Sequence, residues 1–212
     1  MMLLVESQSE KSRDVVKNFD KELAREVRYY EKRVNAFELK LDRDCENILA
    51  LYNPVAIDLR LVLATFKINT HLERIADNAE GISSYIIHLE KAFDEKLLAE
   101  SRFFEMYETM LDMLQLVIHS FQLDDSKNAR KVFKLDDTLD EINGKAPYAL
   151  TEYCKKNPEK IFESYLLLSS MRKLERSGDL IENVAEEIIF YKEAQIFKHN
   201  KKLMQKQEDA TS

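Results

Sequence analysis

The hexapeptide Leu-Glu-Arg-Ile-Ala-Asp at residues 72–77 returns as Leu-Glu-Arg-Ser-Gly-Asp at residues 174–179, 102 positions later. A repeat of this kind requires two equivalent halves, each burying its apolar faces in the same way. Both copies hold a glutamate and an aspartate four residues apart, Glu73 with Asp77 and Glu175 with Asp179. On a helix that spacing sets the two carboxylates on one face. Another acid follows three residues on in each half, Glu80 and Glu182.

Only 3 Gly and 3 Pro occur in 212 residues, of which 33% are charged, so there is little material for hairpin turns. The chain reads as all-α: two tandem, sequence-related three-helix bundles of up-down, spectrin-repeat-like helices. Helices are predicted over residues 4–19, 21–52 and 54–90. A fourth, of about 26 residues, ends near Leu123, and two more span 126–156 and 158–200. Asn53-Pro54 is expected to close the second helix and open the third, with Asn as N-cap and Pro in the first helical position; Asn157-Pro158 repeats this before the sixth. Gly144 and Pro147 predict a kink or break in the fifth.

Helices two and three align with five and six, Asp20, Ala24 and Asn35 matching Asp125, Ala129 and Asp140 at an offset of 105. On that alignment the first helix is roughly three turns shorter than the fourth. The first bundle is placed at 1–92, the second at 93–200, and a lysine-bearing tail that frays at 201–212.

Glu73, Asp77 and Glu80 continue the helical stripe of Val55, Leu59, Val62 and Phe66, while Glu175, Asp179 and Glu182 continue that of Ile161, Leu168 and Met171. An ordinary solvated face would lie opposite the apolar stripe, not in line with it. Counting back across each Asn-Pro turn brings Glu31 and Asn35, on a stripe with Glu38 and Asp42, level with Glu73 and Asp77. The same count places Asp136 and Asp140 near Glu175 and Asp179. Two carboxylates about 4 Å apart repel by roughly 4 kcal/mol at an effective dielectric of 20. Raised pKa values, the flanking Arg74 and Arg176, or bound cations would relieve that repulsion. Oxygen-only donors suit hard or borderline cations. His71 lies far round its helix from Glu73, and no Glu-x-x-His occurs, which argues against a ferritin-like oxidase.

A net charge of −7 argues against holding nucleic acid. Met1-Met2-Leu3-Leu4-Val5 is too short for a signal sequence, and no apolar run spans a bilayer. Cys45 and Cys154 read as reduced cytosolic thiols. Met106, Tyr107, Met110 and Met113 read as core filling. No catalytic Ser/His/Asp or Cys/His set and no Gly-rich phosphate loop is present.

The run Asn53-Pro54-Val55-Ala56-Ile57-Asp58-Leu59-Arg60, followed by residues 72–77, resembles the first half of the PhoU family, and residues 174–179 resemble its second half. The resemblance implies a cytoplasmic, dimeric protein with multinuclear sites for iron, zinc, manganese or magnesium. Carried over by position, Glu73 and Asp77 hold one cluster and Glu175 and Asp179 the other, aided by Glu31, Glu38, Asp136 and Asp140. Partners would be the ATPase of the phosphate ABC transporter and the phosphate sensor histidine kinase, the membrane being reached only through them. Asn143 and Pro147 stand where the first half has Glu38 and Asp42, so the second site is expected to bind metal more weakly or hold fewer ions. Asp58 and Arg60, found only in the first half, are candidate partner contacts, together with Arg74 and Arg176. The expected function is regulation of phosphate homeostasis without enzymatic activity. The alternatives are a carboxylate-bridged hydrolase or oxidase, or a scaffold for a sodium-phosphate carrier.

Overall fold

The computed structural model describes residues 1–194, in which helices account for every regular element and no strand occurs. The last residues of the sixth predicted helix, 195–200, and the 201–212 tail lie outside these residues. α1 (Met2–Asn18) turns into α2 (Lys21–Tyr52) through left-handed Phe19 and through Asp20. The Asp20 carboxylate accepts from the backbone N–H groups of Glu22 and Leu23, satisfying donors that the first turn leaves open.

α3 (Ala56–His88) begins later than expected, because Asn53 ends α2 in the left-handed region at φ 46° and Val55 is the N-cap. Asparagine tolerates that conformation, so here it acts as a C-cap, and Pro54 falls in the linker rather than in the helix. In the second half Pro158 does start a helical turn, the 3-10 segment Pro158–Lys160, ahead of α7 (Ile161–Glu193).

The fourth predicted helix is two: α4 (Glu95–Glu100) and α5 (Phe103–Leu123), broken at left-handed Arg102. Beside the break, Ser101 Oγ donates to the Leu98 carbonyl, a local bond that competes with helix continuation. By contrast α6 (Lys127–Lys156) runs unbroken through Gly144 and Pro147. Pro147 faces solvent, where water can satisfy the carbonyl its missing N–H would have bonded.

α1, α3, α5 and α7 form the middle of the molecule, with α2 packed on α1 and α3, and α6 on α5 and α7. α3 and α7 cross the boundary between bundles in antiparallel register. Arg60 Nε donates to the Tyr191 carbonyl at 3.3 Å, Lys67 Nζ bonds Glu187 at 3.0 Å, and Asn78 Nδ2 donates to Ser177 Oγ at 3.1 Å. α1 is held by polar contacts as much as by apolar ones. Its Gln8 Nε2 and Ser12 Oγ donate to the Ala76 and Ala79 carbonyls of α3, and Tyr107 Oη of α5 donates back to the Ser9 carbonyl. Met106, Tyr107, Met110 and Met113 are all core residues, and Cys45 is a buried free thiol.

Small residues set how closely the outer helices approach. A Cβ built on Gly178 would stand 2.4 Å from Leu139 Cδ1 and 3.2 Å from Asp136 Oδ1 of α6. The corresponding pair in the first half is Ala76 and Val34, both fully buried, so a methyl gained on one helix is matched by one lost from the other. Gly178→Ala alone is expected to destabilise by about 1–3 kcal/mol of overpacking. In a Leu139→Val background the same change should instead stabilise by up to ~1 kcal/mol through helix propensity. Urea unfolding of the four variants of this cycle checks the reversal of sign.

Candidate metal centres

Leu72, Ile75, Ala76 and Ala79 are buried on α3, and Leu174, Ser177, Gly178 and Ile181 on α7. Glu73 and Glu175 lie beside these packed rows, half-buried where α3 meets α2 and where α7 meets α6. The structure departs from the expected packed seam at its far ends: Val55 is 71% exposed, Phe66 40% and Ile161 60%. Val55 is the N-cap of α3 and not part of the helix, and the stripe is a border of the packed face along its length, with Glu73 and Glu175 half-buried and Phe66, Asp77 and Asp179 exposed.

In the first half Glu31 and Glu38 of α2 face Glu73 and Asp77 of α3. Burial raises the pKa of Glu73 from 4.5 to about 7, reinforced by Asp77 and Glu38 and opposed by Arg74. Asp77 is raised by the protein packed round its carboxyl and then by Glu31 and Glu80, while Lys173 of α7 pulls it down. Glu38 is raised by burial, Asp42 and Asp77. Two acids of the stripe are engaged elsewhere. Asp42 accepts from Asn69 Nδ2 at 2.8 Å, and Glu80, at the edge of the cluster, accepts from Ser84 Oγ at 2.6 Å and pairs with Arg28 at 3.4 Å.

The second half gathers Asp136 and Asp140 of α6 with Glu175, Asp179 and Glu182 of α7. Burial raises the pKa of Glu175, followed by Asp179, Asp140 and Asp136, with Arg176 opposing. Asp136, Asp179 and Glu182 each offer a carboxylate oxygen within 4.8 Å of the other two. Asp136 is 1% exposed, seated in the space left by the missing side chain of Gly178. A carboxylate that deep, with two more converging on it, suits a hard cation taking oxygen ligands. Glu141, next in sequence to Asp140, turns outward to Arg102 and Lys145.

Of the candidate partner residues, Asp58 and Arg60 lie apart from these clusters, whereas Arg74 and Arg176 flank them and draw down Glu73 and Glu175. Arg74 and Arg176 are exposed on the flanks, and Asp58 is exposed in the first turn of α3. Arg60 ties α3 to the last turn of α7 through the Tyr191 carbonyl, a cation at the negative end of a helix. Sequence spacing alone passed over Lys173, which reaches the first cluster from the other bundle; the antiparallel pairing of the two repeat helices was the signal that could have found it.

The raised pKa of Glu73 carries a pH dependence. Without metal, the native fold retains protons that the unfolded chain has lost, so stability falls as pH rises from about 4.5 through about 7. Thermal melts of chelator-treated protein across that window should show the decline, and Glu73→Gln should flatten it. Saturating manganese should abolish it in the unsubstituted protein.

The PhoU domain model matches this chain twice, over residues 1–86 and 103–188. The "Phosphate-specific transport system accessory protein PhoU homolog" of Aquifex aeolicus is 33% identical over 199 residues, covering 94% of this chain and 89% of its own. Among solved structures, PhoU from Pseudomonas aeruginosa superposes with a TM-score of 0.86 at 30% identity over 92% of this chain and 93% of that one. The phosphate transport system regulatory protein PhoU from Streptococcus pneumoniae gives a TM-score of 0.79 at 25% identity, covering 92% and 91%. With both repeats matched and the whole helical arrangement shared, the chain belongs to the PhoU family.

Proposed function

We propose that this protein is an accessory regulator of phosphate-specific transport that acts by binding rather than by catalysis. The observation that carries the reading is the doubled PhoU match laid over two carboxylate clusters at corresponding places in the repeat. In this reading the protein, a cytoplasmic homodimer, docks on the ATPase of a phosphate ABC transporter and on the phosphate sensor histidine kinase. It thereby represses phosphate-starvation signalling when phosphate is ample. The relatives are named as accessory and regulatory proteins of a transport system, which favours this over the carboxylate-bridged hydrolase or oxidase. Among the described residues no helix is long and apolar enough to cross a membrane, consistent with reaching the transporter through protein contacts.

Glu31, Glu38, Glu73 and Asp77 would hold metal in the first half, and Asp136, Asp140, Glu175, Asp179 and Glu182 in the second. A bound divalent or trivalent ion supplies positive charge that these oxygens otherwise lack. The donors are carboxylates, which favours magnesium, manganese or iron over zinc. With that charge in place these side chains would hold α2 against α3 and α6 against α7 at a fixed spacing, presenting each bundle's face as a rigid docking surface.

Two measurements on protein taken from phosphate-replete cells test this reading. Elemental analysis without added metal or chelator should find stoichiometric iron, manganese or magnesium. Affinity capture should recover the transporter ATPase or the sensor kinase, and the doubly substituted Glu73→Gln, Glu175→Gln protein should recover less of either. Capture that yields neither partner at any phosphate level overturns the regulatory assignment.

A further inference from the structure

α1 is shorter than the two helices it packs on. Its Gln8 and Ser12 donate to the Ala76 and Ala79 carbonyls, so α1 runs parallel to α3, and its first residue, Met2, stands level with about Asn69. Residues 56–68 of α3, about 20 Å of helix, extend past that level. The face that receives α1 extends with them. Asp58 and Leu61 stand 18 positions, or about five turns, before Ala76 and Ala79 and so point the same way. On α2, Cys45 and Ile48 stand about five turns after Val27 and Tyr30, which accept from Gln8 and Lys11 of α1. Leu61 and Ile48 are each 38% exposed, and Leu51, Tyr52, Val55 and Ile57 complete an apolar patch at this end.

α7 brings the chain to the same place. Arg60 Nε donates to the Tyr191 carbonyl, which sets the last turn of α7 against the start of α3. Glu193 accepts from Ser126 Oγ and Arg130 Nη2 at 2.6 Å, fixing that turn on α6 as well. Ala194 then takes the left-handed conformation at φ 55°, with its N–H on the Phe190 carbonyl, which ends the helix and turns the chain out of its axis. Residues 195–212 follow. In residues 195–206 the apolar side chains are Ile196, Phe197, Leu203 and Met204, the basic ones include Lys198, Lys201, Lys202 and Lys206, and there is no acid. At 100° per residue those four apolar positions share an arc of about 120° and the four lysines fall on the other side. As a helix this segment is about 18 Å long, close to the uncovered length of α3.

We propose that residues 195–206 form an amphipathic helix that folds back from Ala194 and covers the apolar end of the first bundle, in the position a longer α1 would take. Running back from that end, it is parallel to α3, as α1 is, and lays its apolar arc over Ile48, Tyr52, Ile57 and Leu61. Its lysines stay in water, and it adds no carboxylate to an end that already carries exposed Asp44, Glu46 and Asp58. The tether favours this occupant over a second copy of the chain: a segment that starts beside its site meets it at an effective concentration on the order of millimolar. The inference goes beyond the regulatory reading and uses none of the cluster residues.

The test uses the full 212-residue chain with Cys45→Ser and Cys154→Ser, in which Leu61→Cys supplies a single thiol. Maleimide labelling of that thiol should be roughly tenfold slower, at every protein concentration, than in the same chain carrying Phe197→Asp and Leu203→Asp. Lys201→Gln with Lys202→Gln, on the opposite side of the segment, should leave the protection intact. Asn200 lies in the middle of the apolar arc, so Leu61→Cys combined with Asn200→Cys should form a disulfide within one chain on mild oxidation. Labelling that the two aspartates do not change overturns the proposal: fast in both, it leaves this end bare; slow only at high concentration, it assigns the end to a second copy. If the aspartate variant does not fold, the disulfide decides, and its absence, or its formation only between chains, overturns the proposal.

Discussion

Crowded carboxylates on helices that cannot move apart are the constraint round which this molecule is arranged. Glu73 sits between Leu72 and the pair Ile75 and Ala76, and Glu175 between Leu174 and the pair Ser177 and Gly178, all buried. Burying one Leu or Ile is worth about 1.5–3 kcal/mol, and two close carboxylates repel by roughly 4 kcal/mol at an effective dielectric of 20. Leu72 and Ile75 beside Glu73 are thus enough to hold the helices at contact despite the repulsion, and beside Glu175 Leu174 does so together with Ile181 further along the helix. The repulsion then appears as displaced proton affinity, with Glu73, Asp77, Glu38 and Glu175 all shifted upward.

The crossing of α3 and α7 joins the two clusters into one structure. Lys67 and Glu187 form an ion pair in which the glutamate is buried, and Asn78 meets Ser177 where the halves cross. Burying a charge pair stabilises little, because desolvation offsets most of the attraction, but misplacing one is expensive. A slide of α3 along α7 by one turn would strand Glu187 and part Asn78 from Ser177, so these polar contacts fix the register that the apolar contacts alone would leave loose. The same register brings Lys173 onto Gly81. Polar side chains do comparable work for α1, where Gln8, Ser9 and Ser12 replace the apolar stripe a helix of this kind would otherwise need.

Much of this was legible in the chain. The duplicated hexapeptide and the three- and four-residue spacing of apolar positions give the helices and their pairing, and counting back from the Asn-Pro turns puts Glu31 and Glu38 opposite Glu73 and Asp77, where the structure has them. What failed was local. Asn53 chose the left-handed C-cap over the N-cap, since both roles are open to asparagine and the following Val55 was free to cap α3 instead. Pro147 did not break α6, because exposure lets water replace the missing bond. The stripe from Val55 to Glu80 does share one face, but that face is the edge of the packed surface and not its middle, which apolar spacing alone did not distinguish. Lys173 was out of reach for a different reason: periodicity orders residues within one helix, and its partners belong to another.

The repeat also accounts for where the surface is apolar. In the second half α4 packs on the end of α6, Leu97 is fully buried, and Tyr153 lies beneath with its hydroxyl bonded to Asp94. The described residues of the first half contain no counterpart to α4, and Ile48, which aligns with Tyr153, is correspondingly exposed along with Leu51, Tyr52 and Val55. Apolar exposure at a helix end need not reflect poor sequence choice when the equivalent position one repeat away is covered by α4. Two bundles with the same helix pairing therefore present different ends, and a partner that reads one end will not read the other in the same way.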